Sequence, residues 1–156
     1  ADVMRIGAGL LGLKIENARH GSGKQYDSEG LGYDGEWKDG KLHGNGKEYY
    51  IDGITLLYDG EFKDGERCGG GKEFRDGGTL KYEGGWKNCW RHGNGKQYHL
   101  DGATLAYDGE FKDGMWCGSG KEFRVDGTLE YEGEWKNSMR YGNGSIYYSD
   151  GTTLAY

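Results

Sequence analysis

One string returns along this chain and limits what it can fold into. YDGEWKDG begins at Tyr33 and comes back as YDGEFKDG at Tyr58, YEGGWKNC at Tyr82, YDGEFKDG at Tyr107 and YEGEWKNS at Tyr131, in steps of 25, 24, 25 and 24 residues. A worn copy starts at Leu10, where LLGLKIENARHGSGKQY aligns residue for residue with YDGEWKDGKLHGNGKEY, and Tyr156 opens a further copy. A period of this length marks stacked supersecondary units, each of which buries its apolar face only against its neighbours.

Counted from the opening Tyr, position 3 is glycine in all six copies and position 5 alternates Trp37, Phe62, Trp86, Phe111, Trp135. A glycine pair follows at positions 12 and 14, and an aromatic at 17: Tyr26, Tyr49, Phe74, Tyr98, Phe123, Tyr147. Positions 1, 3 and 5 alternate with charged 2, 4 and 6, which predicts a strand with one aromatic and one charged face. Lys38-Asp39-Gly40 predicts a turn, and the glycine pair opens a second strand. Each unit therefore reads as a β-hairpin. Helix is excluded by the lack of a 3.6-residue apolar period and by 33 glycines in 156 residues.

A lone hairpin is marginal, so the units must pair edge to edge. The expected fold is all-β: an elongated, single-layer, twisted antiparallel sheet of stacked hairpins. At about 10 Å per hairpin, six units would extend roughly 60 Å. Residues 1–9 read as an apolar N-terminal cap or docking segment, continuing into Ile6–Leu13, and residues 10–156 as the repeat domain, with units starting near Leu10, Tyr33, Tyr58, Tyr82, Tyr107 and Tyr131. Rings at positions 1, 5 and 17 are expected to pack over bare glycine backbone on one face. Glu at positions 4 and 16 offsets Lys at 6 and 15 on a solvated face.

Composition narrows the function classes. No run of 18 apolar residues exists, and aromatic content is too high for ordinary disorder. A net charge of −6 argues against nucleic acid as a partner and weakens attraction to anionic lipid. Three cysteines are an odd number, which points to a reducing or thiol-tolerant compartment. The start at Ala1 rather than Met fits, as an expectation, an organelle-imported and processed chain.

The chemistry-bearing side chains repeat without a distinguished centre. His20, His43, Cys68, His92, Cys117 and Tyr141 share position 11. Neighbouring units lie about 10 Å apart, too far for ligands of one zinc ion, so no metal is expected. Glu36, Glu61, Glu110 and Glu134 form a row at position 4, with nothing to raise one pKa above the others. No catalytic site and no cofactor are expected.

The pattern YxGEWxxGxxxGxG, followed by an aromatic and Asp-Gly, resembles the MORN repeat (membrane occupation and recognition nexus) over residues 10 to 156. The familiar unit has 23 residues. The extra residues here fall in the DGxTL connection, which should lengthen the inter-unit loop and leave the hairpins intact. The resemblance implies a binding or scaffolding role, as an accessory subunit of a larger assembly with peripheral membrane association as a further expectation. It points to an aromatic groove, Tyr33, Trp37, Tyr58, Phe62, Tyr82, Trp86, Tyr107, Phe111, Tyr131 and Trp135, as the seat of a partner's helix or peptide. Trp90 and Trp116 read as loop anchors before the glycine pair, where other units have Lys41, Glu66 or Met139. An open last edge would invite strand addition. A phospholipid-targeting module and the regulatory part of a longer enzyme are the alternative readings.

Overall fold

The computed structural model describes residues 19–28, 30–150, 152 and 154–155. The segment 1–9, the opening of the worn copy (Leu10, Gly12, Lys14) and Tyr156 lie outside the described residues.

Among the described residues, twelve strands in chain order form one sheet in the same spatial order, so every strand pairs with its sequence neighbours. They are β1 (Gly21–Tyr26), β2 (Leu31–Lys38), β3 (Lys41–Tyr49), β4 (Leu56–Lys63), β5 (Glu66–Phe74), β6 (Leu80–Lys87), β7 (Trp90–Tyr98), β8 (Leu105–Lys112), β9 (Met115–Phe123), β10 (Leu129–Lys136), β11 (Met139–Tyr147) and β12 (Leu154–Ala155). All pairings are antiparallel. The sheet is the all-β stack of hairpins expected from the repeat. Of the worn copy, β1 is the second strand.

Each hairpin closes on two residues. Asp39 and Gly40 have φ of 51° and 77°, and Lys38 pairs with Lys41 across them. Two consecutive positive φ values match the right-handed twist of the flanking strands. The second turn residue also holds the preceding hairpin: Gly40, Gly65, Cys89, Gly114 and Ser138 donate their amides to the carbonyls of Arg19, Leu42, Arg67, Arg91 and Trp116.

The other connection absorbs the change in period. Tyr50 pairs with Thr55 and His99 with Thr104 in the longer loops, whereas Arg75 pairs with Thr79 and Arg124 with Thr128 in the shorter ones. Position 18 then ties each loop to the next unit. Tyr50 Oη donates to Phe74 O at 2.8 Å, Arg75 Nη2 to Tyr98 O at 2.7 Å and Arg124 Nη2 to Tyr147 O at 2.6 Å. His99 Nε2 lies 2.9 Å from Phe123 O.

Candidate functional site

The glycines at positions 3 and 14 stand opposite one another on every strand pair from β1 to β11. Gly23, Gly35, Gly46, Gly60, Gly71, Gly84, Gly95, Gly109, Gly120, Gly133 and Gly144 form one row crossing β1 to β11. A Cβ on Gly46 would lie 2.1 Å from Tyr33 Oη, and one on Gly120 2.2 Å from Tyr107 Oη. The missing side chains are therefore the space into which each tyrosine lies. Its hydroxyl donates to the position-4 carbonyl, as Tyr82 Oη does to Gly85 O at 2.9 Å.

The tyrosines are linked by position 5. Tyr33 contacts Trp37 and Phe62, Tyr58 contacts Phe62 and Trp86, Tyr82 contacts Trp86 and Phe111, and Tyr107 contacts Phe111 and Trp135, which in turn meets Tyr131. Every one of these contacts is edge-to-face, with centroids 5.0 to 5.5 Å apart. Such pairs add about 0.5–1.5 kcal/mol each beyond the area they bury. The alternation of Trp with Phe has a mechanical meaning as well. The indoles of Trp37, Trp86 and Trp135 donate to the carbonyls of Gly23, Gly71 and Gly120 in the preceding unit, at 3.2, 3.3 and 3.2 Å.

The structure thus brings together all ten rings expected to line a partner groove, but as the core of the chain itself, 0 to 7% exposed. A lid of position-10 side chains covers them. Arg67 lies over Tyr58, Arg91 over Tyr82 and Arg140 over Tyr131, at 4.6, 4.9 and 5.0 Å from the centroids. Leu42 and Trp116 occupy the same place in their units. Four of these five residues meet position 16 of the unit before them. Arg67 pairs with Glu48, Arg91 with Glu73 and Arg140 with Glu122, all at 2.6 Å. Where position 10 is Trp116, the residue met is Gln97, whose Oε1 accepts from the indole at 3.4 Å. Burial alone would raise the Glu73 carboxyl, but hydrogen bonds from Lys81 and Arg91 and the Arg91 charge hold it below its ordinary value.

Three expectations are corrected by these contacts. Position 16 faces the rings and not the solvated face, because Glu48 stands opposite Tyr33 and Glu73 opposite Tyr58. Position 17 is outside the ladder and stays partly exposed, and Tyr98 Oη donates to Glu83 Oε1 on the charged face at 2.5 Å. Trp116 is no loop anchor: it lies in β9, stacked on Tyr107 at 4.2 Å and edge-on to Trp135 at 5.0 Å. Trp90 opens β7 and is 59% exposed. The signal for the lid was present in the sequence as a pairing of residue types, Arg with Glu and Trp with Gln, between position 10 and the preceding position 16.

The position-4 glutamates have a structural task. Glu36, Glu61 and Glu110 accept from the amides of Asn45, Gly70 and Ser119, each at 3.0 Å, and so close the bulge at the glycine pair. Position 11 reaches the next hairpin turn: His20 lies 3.2 Å from Asp39 and His92 3.6 Å from Asp113. Among the described residues no three His, Cys, Asp or Glu side chains gather as a metal site.

The open surface is the opposite, charged face. A groove of about 800 Å³ runs across Gly70, Gly71, Gly84, Gly85 and Gly95, flanked by Asp59, Glu83 and Asp108 and by Lys72 and Lys96. A second hollow of about 430 Å³ follows past Asp108, over Gly120 and Gly133. The flanking charges pair across strands, Lys72 with Glu83 at 3.5 Å and Lys121 with Glu132 at 3.1 Å. Exposed pairs of this kind add little stability. They leave bare peptide backbone as the groove floor.

Burial makes the ladder sensitive to alkali. It pushes the Tyr33 phenol up to about 12, with Glu36 and Glu48 adding to it, and the Tyr82 phenol to about 12 against the opposing charge of Arg91. It raises Tyr58 and Tyr107 as well. These folded values lie above the unfolded value of 10. The stabilisation is therefore complete below pH 10 and is lost as pH rises through about 12. Phenolate absorbance and the β-sheet circular dichroism signal are expected to change together in that window. Ladder phenols titrating near 10 with the sheet intact would contradict it.

A family model described as the MORN repeat matches residues 33–55, 58–79, 82–104, 107–129 and 131–153. No curated protein matches the chain.

Proposed function

The chain belongs to the MORN-repeat family, and from that premise we propose that it is a non-catalytic scaffold that holds a protein partner in the groove of its charged face. Repeats of this family generally mediate interactions with proteins or membranes. The observation that carries the finer reading is the division of labour between the two faces. The rings are spent on holding hairpins together, while the glycine floor leaves a continuous groove with backbone and fixed charge on offer. A groove of that kind suits an extended segment that lies close on the bare glycine backbone and matches alternating charge. Each unit repeats the same chemistry, so the surface offers length and register and no single reacting centre.

The test is to fill the groove without touching the ladder. Position 13 carries Asn45, Gly70, Asn94, Ser119 and Asn143 in successive units, and a Cβ on Gly70 meets nothing closer than Glu61 Oε1 at 3.6 Å. The Gly70→Tyr/Asn94→Tyr variant should therefore fold with an unchanged sheet signal. In affinity capture from native extract, it should retain at least tenfold less of the protein partner than the unaltered chain. Equal capture by both, or capture of lipid alone, would overturn the reading.

A further inference from the structure

We infer that copies of this chain associate side by side, the hairpin-turn edge of one against the inter-unit loop edge of the next. The inference goes beyond the groove and does not rest on it.

The sheet has two long edges of unlike chemistry. The turn edge carries, in its last three units, Lys87-Asn88-Cys89-Trp90, Lys112-Asp113-Gly114-Met115 and Lys136-Asn137-Ser138-Met139. Trp90, Met115 and Met139 are 59, 43 and 66% exposed. Three lysines and one carboxylate make this stretch basic in a chain of net charge −6. The loop edge carries Ile51-Asp52-Gly53-Ile54, Leu100-Asp101 and Val125-Asp126. Ile54, Leu100 and Val125 are 84, 81 and 77% exposed. The carboxylates beside them are fixed in place by their own loops: Asp52 accepts from the amides of Ile54 and Thr55, Asp101 from those of Ala103 and Thr104, and Asp126 from that of Thr128.

Apolar groups on one edge thus sit beside ammonium, and on the other beside carboxylate. Both edges come from the same hairpins and share one spacing of about 10 Å. A copy displaced along the strands therefore sets Leu100-Asp101 and Val125-Asp126, one unit apart, against two successive turns such as Lys87 with Trp90 and Lys112 with Met115, apolar against apolar and carboxylate against ammonium. Beside Trp90 a hollow of about 260 Å³ opens, lined by Arg67, Glu73, Trp86, Cys89, Arg91 and Gly114. Such a contact is head-to-tail, since each copy offers one edge of each kind, and it grows in a row without closing.

The experiment is sedimentation of the whole chain over a concentration series at low and high salt, with two edge variants. Trp90→Ser/Met115→Ser/Met139→Ser alters only the turn edge and Ile54→Ser/Leu100→Ser/Val125→Ser only the loop edge. All six side chains are exposed, and thermal circular dichroism verifies folding. The unaltered chain should exceed its monomer mass of 17.3 kDa as concentration rises, less so at high salt. Each variant alone should associate at least tenfold more weakly. An equimolar mixture of the two should stop at a dimer, because each supplies the edge the other lacks. A Lys87→Glu/Lys136→Glu variant should show the same loss with the apolar groups in place. Monomer at every concentration, association indifferent to both edges, or turn-edge binding to phosphatidylserine vesicles without self-association would overturn the inference. The groove-filling variant should self-associate like the unaltered chain, which separates a failure here from a failure of the groove reading.

Discussion

Tyr107→Ala is expected to cost about 4 kcal/mol, near the upper range for deleting a buried aromatic side chain. Tyr107 is fully buried, holds Phe111 and Trp135 edge-on and carries Trp116 stacked on its face. Its contact with Trp135 is the ladder's link between the fourth and fifth hairpins, and Trp116, which also meets Trp135, would lose the face on which it stacks. In a stack where each unit leans only on its neighbours, such a break also divides the cooperative block. Urea unfolding followed by hydrogen exchange should show β10 and β11 opening ahead of β4 to β7. Tyr107→Phe keeps the ring and loses the hydrogen bond to Glu110 O, so its cost should be about 1 kcal/mol. A single cooperative transition for Tyr107→Ala, shifted by less than that of Tyr107→Phe, would show that the ladder is not what couples the units.

Gly109→Ala is expected to destabilise the fold by about 3 kcal/mol, although it adds one methyl group. That carbon would lie 2.6 Å from Gly120 Cα and 2.7 Å from Ser119 O, both main-chain atoms of the paired strand, and 2.6 Å from Tyr107 Oη. Backbone on one side and a fully buried ring on the other leave no rotamer that relieves the clash, so the strands must part. Gly70→Ala is the control, since its methyl would meet only Glu61 Oε1 at 3.6 Å and its backbone is not in the left-handed region. Thermal melts of the two variants should differ by about 6–12 °C, at about 2–4 °C per kcal/mol for a chain of 156 residues. Equal melting points would mean that the glycine row is not a packing surface.

Much of this architecture was legible in the chain. Tyr33, Gly35 and Trp37 alternate with Asp34, Glu36 and Lys38, and that period of two is enough to place a strand and its two faces. Asp39-Gly40 specifies a two-residue turn on its own. The unequal steps of 25 and 24 residues located the variable loop, because a hairpin whose rings must meet their glycines cannot absorb an extra residue. The lid was harder to read. Arg91 and Glu73 stand 18 residues apart and on different hairpins. The two-residue turn pairs position 10 directly with position 5, so the two face the same way despite their unlike parity, as Trp37 opposite Leu42 shows. The same offset places Glu48 and Glu73 on the ring face and turns Tyr98 away from it.

The sequence by itself determined the unit, its strands, its turn and the order in which units pair, because each of these depends on contacts within a hairpin or between hairpins adjacent in the chain. Which surface is left for a partner was decided only by the tertiary structure. A ring reads as aromatic whether it is exposed or covered, and its cover is the position-10 side chain of its own hairpin, held by position 16 of the unit before, a contact that the local pattern does not reveal. Once Arg67, Arg91, Trp116 and Arg140 close over the ladder, the aromatic face becomes the interior, and the bare glycine backbone on the other side becomes the groove.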